Sequence, residues 1–336
     1  MKGYETIIDL GIGIKISSII EICFGSKIFK QEKSIVLKDI HYNQKIPFFV
    51  ALSATLICVV FGANIVAIKI SLAGLGPFTS LGFRFMIGTF PILLWAKITG
   101  RPLGVKKGQI HILLIISIIF TLQLGLLNLG LARTNASRGT LLFNFQPFFV
   151  LLLAHFFIPG DKISKKKILG LSMGFSGVVL VFLGKEGVTS DVQFGDFMVL
   201  ITAFLWACNT IYIKRIINTF EPFHLALYPM MFSVPFFFLA GFMWDGQMVT
   251  CINLKIIISI LYQSLLASSL GLVAWNYLLL KYGAVSLHSF LFIMPIAGVL
   301  LGGFILREPI TLNILFALLL IVSGILFVNY KKRKHA

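Results

Sequence analysis

Apolar stretches long enough to cross a membrane recur along almost the whole chain from residue 47 onward. A run of about 20 apolar residues forms a helix that spans the roughly 30 Å hydrocarbon core of a bilayer. Hydrophobic residues make up 58% of the 336 residues and charged residues only 12%, too few to coat a soluble protein of this size. The sequence therefore predicts an all-α membrane protein with ten transmembrane helices, at residues 47–70, 78–97, 109–131, 138–158, 167–184, 195–216, 223–243, 256–280, 284–306 and 312–330.

The distribution of Lys and Arg predicts the orientation of these spans. In the loops and tails, 22 of them fall on the side that holds both termini and 5 on the other side. Loops rich in Lys and Arg stay in the cytoplasm. Both termini are therefore predicted to be cytoplasmic, in a multi-pass protein of the inner (plasma) membrane. Because these loops account for most of the net charge of +17, the charge does not predict a nucleic-acid partner.

Residues 1–46 differ in character from the spans that follow. The apolar run from Ile7 to Phe24 is interrupted by Asp9, Lys15 and Glu21, which point in three directions around a helix. The run has neither the order of a signal peptide nor a small-residue cleavage site. We predict a short, weakly ordered cytoplasmic extension without a function of its own.

One segment of the first span returns in the sixth. FGANIVAIK at 61–69 and WACNTIYIK at 206–214 each carry an aromatic residue, an Asn three positions later and a Lys five after that. Their offset is 145, and further matches follow at offsets up to 148. An odd number of spans per copy inverts the second copy in the membrane. We therefore predict two inverted five-helix repeats at 47–184 and 195–330, a linker loop at 185–194 and a basic cytoplasmic tail at 331–336.

Inverted repeats place a substrate site near the middle of the membrane, where the halves meet. Asn64 shares a helix face with Phe61, because residues three apart are neighbours on a helix. The same spacing relates Asn209 to Trp206. An aromatic ring beside an amide suits a ligand, so these four residues are predicted to line a substrate cavity. The alternative is that both amides only hold neighbouring helices together.

Arg84 lies seven residues into the second predicted span, roughly 10 Å from its end by the rise of an α-helix. A charge at that depth needs water, an anion or a partner. No acidic residue is expected inside the spans, which leaves backbone carbonyls, a polar cavity or a substrate carboxylate. A substrate contact and a structural role both remain open. Lys69, near the end of the first span, is expected to extend to the lipid head groups.

Further candidates for the substrate site are polar or aromatic residues of the third, fourth and eighth spans: Gln123, Asn128, Asn144, Gln146, Trp275 and Asn276. Pro147 is predicted to interrupt the fourth span and Pro295 the ninth, which would free the carbonyls of Phe143 and Leu291 for a solute. Kinks that serve only packing are an equal alternative.

No motif of an enzyme is present in the sequence. It contains no carboxylate pair, no HExxH, no Walker motif and no nucleophile elbow, and its four cysteines lack paired or metal-like spacing. We predict no catalytic residue, no metal site and no cofactor, and transport that ATP does not power directly.

These segments resemble the EamA family of the drug/metabolite transporter superfamily, over about residues 47–330. FGANIVAIK and WACNTIYIK are similar to the family's first-helix signature, and GFRFMIGTFP at 82–91 is similar to its second helix. Residues 131–164 and 278–311 are similar to its third-to-fourth and eighth-to-ninth helix segments. The resemblance implies a ten-helix inverted-repeat fold and the export or exchange of small metabolites such as amino acids.

The predicted function is secondary transport by alternating access, with a small-molecule substrate and the lipid bilayer as partners. The main hypothesis is an exporter or exchanger of small metabolites such as amino acids or drug-like compounds. The alternative is an uptake or exchange carrier for a charged metabolite, such as a nucleotide-like or sulfonium compound, in which Arg84 binds an anionic group. A membrane scaffold without transport is a third hypothesis, and the sequence leaves a homodimer open.

Overall fold

The computed structural model describes residues 47–106, 108–157, 165–183, 189–216, 219–221, 223–282 and 290–329. Within these ranges the chain is helical, and its β structure is limited to an isolated bridge between Leu75 and Val249. The helices are α1 (Phe48–Ser71), α2 (Pro77–Ile98), α3 (Ile110–Arg133), α4 (Ala136–Phe143), α5 (Gln146–Phe157), α6 (Lys165–Leu183), α7 (Ser190–Ile216), α8 (His224–Trp244), α9 (Leu254–Leu261), a π-helix (Tyr262–Gly271), α10 (Leu272–Tyr282), α11 (Ile293–Leu306) and α12 (Leu312–Asn329).

Every predicted span contains a described helix. Among the described residues, seven segments are long and apolar enough to cross a membrane: Phe48–Ser71, Pro77–Ile98, Ile110–Arg133, Ala136–Phe157, Ser190–Ile216, His224–Trp244 and Leu254–Leu278. Shorter apolar helices occupy Lys167–Leu183, Ile293–Leu306 and Leu312–Phe327. The chain is therefore an integral membrane protein with many helical spans, and the count of ten crossings stays a prediction. Residues 1–46, residues 185–188 of the predicted linker loop and the tail at 331–336 lie outside the described ranges, and α7 begins at Ser190, inside the predicted linker.

Two spans are not single continuous α-helices, and one of them is the fourth, which the sequence predicts to be interrupted at Pro147. The fourth is broken at Asn144 and Phe145 into α4 and α5, and Pro147 is the second residue of α5. The other is the eighth, which contains a π-helix that was not predicted from the sequence. At the start of α11, the Leu291 carbonyl accepts a hydrogen bond from the Met294 N–H at 3.1 Å. The expectation that Pro295 frees this carbonyl is therefore wrong, because the carbonyl accepts a hydrogen bond within a tighter turn of the chain.

Polar residues lie inside the bundle, and many large apolar residues lie on its surface. Gln123, Asn128 and Gln263 are completely buried, whereas the Phe304 and Phe242 side chains are 86% and 79% exposed. A soluble protein shows the opposite arrangement, since water stabilises polar surfaces and apolar interiors. Lipid-facing apolar side chains and polar groups turned inward are what a bilayer requires.

Close helix contacts depend on small residues. A Cβ atom added to Gly62 on α1 would lie 2.6 Å from the Met294 carbonyl oxygen and 3.1 Å from the Gly298 nitrogen on α11. A Cβ atom at Gly298 would in turn lie 2.7 Å from Oγ1 of Thr140 on α4. Three helices therefore meet at a point where only glycine leaves enough space.

Candidate functional site

Buried polar atoms without a hydrogen-bond partner mark the interior of the bundle. Within the described part of the chain, eight residues carry such a side-chain oxygen or nitrogen, although buried polar groups are normally paired. They are Asn64, Arg84, Gln123, Asn128, Thr140, Gln146, Asn209 and Gln263. All but Thr140 and Gln263 are among the residues that the sequence predicts for the substrate site. Unpaired amide and guanidinium groups are the atoms with which a polar solute can form hydrogen bonds.

Position along the helices divides the candidates into two layers. We call the end of the bundle where α1 terminates at Ser71 the upper end, and the opposite end the lower end. Counted at about 1.5 Å per residue, Asn64 and Arg84 lie about 10 Å below the upper ends of α1 and α2. Asn209 and Asn276 lie about 10 Å and 9 Å above the lower ends of α7 and α10. The two asparagines that match at offset 145 thus lie at mirrored depths.

Arg84 is the charged centre of the upper layer. Its side chain is 6% exposed, and its Nε donates a hydrogen bond to Oγ of Ser268 on the π-helix at 2.8 Å. Its Nη1 has no partner, and among the described residues no carboxylate lies within 4.0 Å of it. A buried guanidinium normally pairs with an anion, because a charge without a partner is costly away from water. The arrangement can therefore bind a carboxylate or another anionic group.

The two side-chain amides of α3, those of Asn128 and Gln123, differ in how far they are paired within the protein. Asn128 donates through Nδ2 to the Pro77 carbonyl at 3.0 Å, which ties α3 to the start of α2, while its Oδ1 is unpaired. Both side-chain polar atoms of Gln123 are buried and unpaired. Gln123 therefore has more capacity for a solute than Asn128, whose amide nitrogen already holds two helices together.

In the fourth span, Asn144 and Gln146 differ in the same way. Asn144 donates through Nδ2 to the Thr140 carbonyl at 2.8 Å, one turn earlier, and so supports the end of α4. Gln146 begins α5, and its Oε1 is buried without a partner. The break between α4 and α5 thus exposes one amide oxygen of this pair to the interior.

The aromatic candidates form two ring pairs. Phe61 on α1 meets Trp275 on α10 edge to face, with ring centroids 6.2 Å apart. Trp206 on α7 meets Phe143 on α4 edge to face at 5.4 Å. The structure thus brings together Phe61 and Trp275, which are both predicted candidates. It places Trp206 beside Phe143, the residue that precedes Asn144 in the chain. Asn276 also has an interaction partner, so it is not counted among the unpaired residues.

Sequence reasoning missed a buried ion pair. Arg138 on α4 and Asp196 on α7 form it with side chains 6% and 0% exposed, so the expectation of no acidic residue inside the spans is wrong. Each residue stands at the edge of a predicted span, where a charge is usually solvated. Lys69 also differs from expectation, since its ammonium group donates to the carbonyls of Leu131 and Thr134 rather than extending to the head groups.

The π-helix was also missed as part of the interior. Its Gln263, Ser264, Ser268 and Ser269 are all buried. Gln263 donates through Nε2 to the Ala67 carbonyl on α1 at 3.1 Å, and its Oε1 is unpaired. The run of Ser and Gln inside an apolar stretch was the available signal.

The model of the EamA-like transporter family matches this chain twice, over residues 48–183 and again over 193–330. The chain belongs to this family. An uncharacterized transporter of Bacillus subtilis (strain 168), YoaV, is 26% identical over 284 residues, which cover 83% of this chain and 96% of YoaV. A probable amino-acid metabolite efflux pump of Escherichia coli (strain K12) is 26% identical over 82% of this chain and 93% of its own length.

A solved crystal structure shares the fold of this EamA-like protein. The TM-score is 0.60 at 17% sequence identity, over 82% of this chain and 98% of that one. The family and the names of its relatives indicate a transporter rather than an enzyme. The EamA-like transporter thus combines a membrane-embedded helical bundle with a polar interior.

Proposed function

We propose that this EamA-like protein is a secondary transporter of the plasma membrane that exports or exchanges small metabolites such as amino acids or drug-like compounds. The observation that carries the proposal is the set of unpaired polar atoms inside the bundle, with Arg84 at its charged centre. The direction of transport is supported by two relatives, of Escherichia coli and Salmonella typhimurium, that are named probable amino-acid metabolite efflux pumps. Both termini are cytoplasmic in this proposal, because Lys and Arg concentrate in the loops on their side.

The transport mechanism in this proposal is alternating access between two inverted five-helix repeats, residues 47–184 (the first half) and 195–330 (the second half). The double family match supports it. Helix packing supports it as well: α1 packs on α11 as α7 packs on α5, and α3 packs on α7 as the π-helix packs on α1. Exchanging the halves turns each of these pairs into the other. Rocking of two such halves exposes a central site to one side of the membrane at a time.

The substrate contacts that we propose first are the unpaired groups of Asn64, Arg84, Gln123, Gln146 and Asn209. The ring pairs Phe61–Trp275 and Phe143–Trp206 supply apolar walls of a kind that small-molecule sites combine with few polar groups. Asn128, Asn144 and Asn276 remain candidates for substrate contact, although each also has a partner within the protein.

The test is a double substitution at the repeated asparagines. Asn64→Leu with Asn209→Leu is expected to abolish amino-acid counterflow in proteoliposomes while the melting temperature of the purified protein stays close to that of the parent. Asn313→Leu, on an exposed position of α12, is the matched control and is expected to transport normally. Unchanged flux in the double variant would rule out the site.

A second candidate function is an exchange carrier for an anionic metabolite. The unpaired Nη1 of Arg84 favours it, because this group selects for negative charge. Counterflow with metabolites of graded charge, with and without a pH gradient, separates the two candidates. Exchange confined to anions supports the carrier, whereas flux of neutral and zwitterionic compounds supports the exporter.

A further inference from the structure

The junction between α3 and α4 at the upper end, residues 131–138, is held in place from several sides. Lys69 on α1 donates to the carbonyl oxygens of Leu131 and Thr134, both at 2.8 Å. These carbonyls lie at the C-terminal end of α3, where the helix dipole favours a positive charge. Lys69 therefore fixes the end of α3 to α1.

Glu308, in the loop after α11, holds the other side of the junction. One carboxylate oxygen accepts the N–H of Ala136 at 2.7 Å, and the other accepts the N–H and the hydroxyl of Ser137, both at 2.8 Å. The first N–H groups of a helix have no partner within it, and a carboxylate there satisfies them and offsets the dipole. A second-half carboxylate thus caps a first-half helix.

Asp196 on α7 holds the same junction by hydrogen bonds to side chains of the junction. It accepts hydrogen bonds from Oγ1 of Thr134 at 2.5 Å, from Nε of Arg138 at 3.0 Å and from Nη2 of Arg138. Thr134 is 1% exposed and Asp196 is not exposed at all, so the contact is sealed from water. Separating a buried ion pair of this kind is costly, because each charge is left without its partner.

Contacts that occur at both ends of the bundle cannot decide which end opens. At the upper end, Asp245 after α8 accepts the N–H and the hydroxyl of Thr79 at the start of α2, both at 2.8 Å. At the lower end, Arg101 after α2 lies 3.3 Å from Glu221 before α8. The Arg101–Glu221 pair has no charged equivalent in the other repeat, because Gly246 and Gly76 stand at the positions offset by 145. Its side chains are 50% and 44% exposed, however, and an exposed pair contributes little, so it does not decide which end opens.

The Arg138–Asp196 pair is different because it is buried and the other repeat has no equivalent. Ala51 and Ser286 occupy the corresponding positions, at the offsets of 145 and 148. The capping carboxylate after α11, by contrast, is matched by Asp161 at an offset of 147. The cap can therefore be exchanged between the ends when the halves rock, whereas the ion pair can form only at the upper end.

We infer that the Arg138–Asp196 pair is a one-sided latch that holds the upper end of the transporter closed and sets its resting conformation. The inference rests on the proposed alternating access. Opening the upper end pulls the α3–α4 junction away from α7, which breaks the pair. Because the corresponding positions of the other repeat, Ala51 and Ser286, carry no charge, an equivalent pair cannot form at the lower end, and the upper-closed conformation is favoured at rest.

The test measures conformation directly, without substrate. Spin labels at Asn135→Cys and Gly246→Cys report the width of the upper end, and labels at Gly104→Cys and Thr219→Cys report the lower end. All four positions are exposed, and a Cβ atom at either glycine meets nothing within 4 Å. The native cysteines are replaced, and distances are measured by double electron–electron resonance in lipid nanodiscs.

The variant Arg138→Gln with Asp196→Asn removes both charges and leaves neither one buried alone. We expect the ratio of upper-open to upper-closed molecules to rise about tenfold or more, the change produced by loss of one charge-assisted hydrogen bond. The matched control, Arg133→Gln with Asp191→Asn, removes a partly exposed pair at the same end, with N and O 3.4 Å apart. It is expected to leave both distance distributions as in the parent.

The outcomes separate the latch from the proposed function. Unchanged upper distances in the Arg138–Asp196 variant, in protein that transports, overturn the latch and leave the transporter intact. A shift in these distances, together with a parent protein that transports none of the metabolites tested, supports the latch and contradicts the proposed function. An equal shift in the Arg133–Asp191 control also overturns the latch, because any charge loss at that end would then suffice.

Discussion

Substitution of Arg84 by Met is expected to stabilise the substrate-free protein and to weaken the binding of carboxylates. An arginine at mid-span costs about 2.5–3.5 kcal/mol on insertion scales. Its hydrogen bond to Ser268, at 2.8 Å, returns about 1.5 kcal/mol because one partner is charged, and its cation–π contact with the Phe85 ring, 5.0 Å from the centroid, returns about 0.5–1 kcal/mol. The difference predicts that Arg84→Met, which keeps most of the side-chain volume, gains up to about 1.5 kcal/mol in stability.

The effect on binding has the opposite sign. If the unpaired Nη1 of Arg84 binds a substrate carboxylate, its loss removes a charge-assisted hydrogen bond of about 1.5–3 kcal/mol. Apparent KM for the carboxylate should then rise by about 10–150-fold. The amide of the same metabolite lacks the negative charge, so its KM is expected to change little.

Two measurements check these signs. Thermal unfolding in detergent without substrate gives the stability change, and counterflow in proteoliposomes gives KM for the carboxylate and for its amide. Lys97→Met, at an exposed position near the lower end of α2, is the matched control for loss of one positive charge. A lower melting temperature of Arg84→Met, with equal changes in both KM values, would refute the reasoning and assign Arg84 a structural role.

Three further substitutions test the packing and the capping contacts. Gly298→Ala places a Cβ atom 2.7 Å from Oγ1 of Thr140, so we expect a loss of about 1–3 kcal/mol in thermal unfolding, while Gly246→Ala, with open space around its Cβ, stays within about 0.5 kcal/mol of the parent. Asp245→Ala removes the cap of α2 and is expected to cost about 1–3 kcal/mol by the same measurement. Lys69→Met leaves two carbonyls of the α3–α4 junction unpaired and is expected to lower the melting temperature, and an unchanged value would show that water replaces the ammonium group.

The positions of the helices were predictable because the length of an apolar run is a strong signal. The second span, predicted at 78–97, is the helix Pro77–Ile98. Its start is marked in the sequence by Pro77, since proline fits the first turn of a helix, where its missing N–H is not needed. The α4–α5 break was less predictable, because Pro147 indicates a kink without showing that the chain leaves the helix at Asn144.

The sequence predicts which residue types lie in the interior, but it does not predict which groups their side chains bond to. An amide such as that of Gln123 is conspicuous in an apolar run, and the structure places it in the interior. Whether an amide is satisfied depends on which carbonyl lies opposite, as for Asn144, which bonds within its own helix. The burial of Asp196 could not be predicted, since it depends on coverage by a junction from the other half.

The π-helix at Tyr262–Gly271 has a consequence for how the two repeats correspond. A π-helical turn closes a hydrogen bond one residue later than an α-helical turn, so it holds an additional residue within the same length of span. The offset between the repeats grows from 145 at Phe223 to 148 at Asn276, so the second repeat gained residues between these two positions. The π-helix can accommodate one of these additional residues within the membrane span. In a continuous α-helix, one additional residue would turn Trp275 and everything after it by about 100° relative to α9. The wider turns of the π-helix absorb such an insertion, so the face that α10 presents to Phe61 depends on the π-helix as well as on the residues that line it.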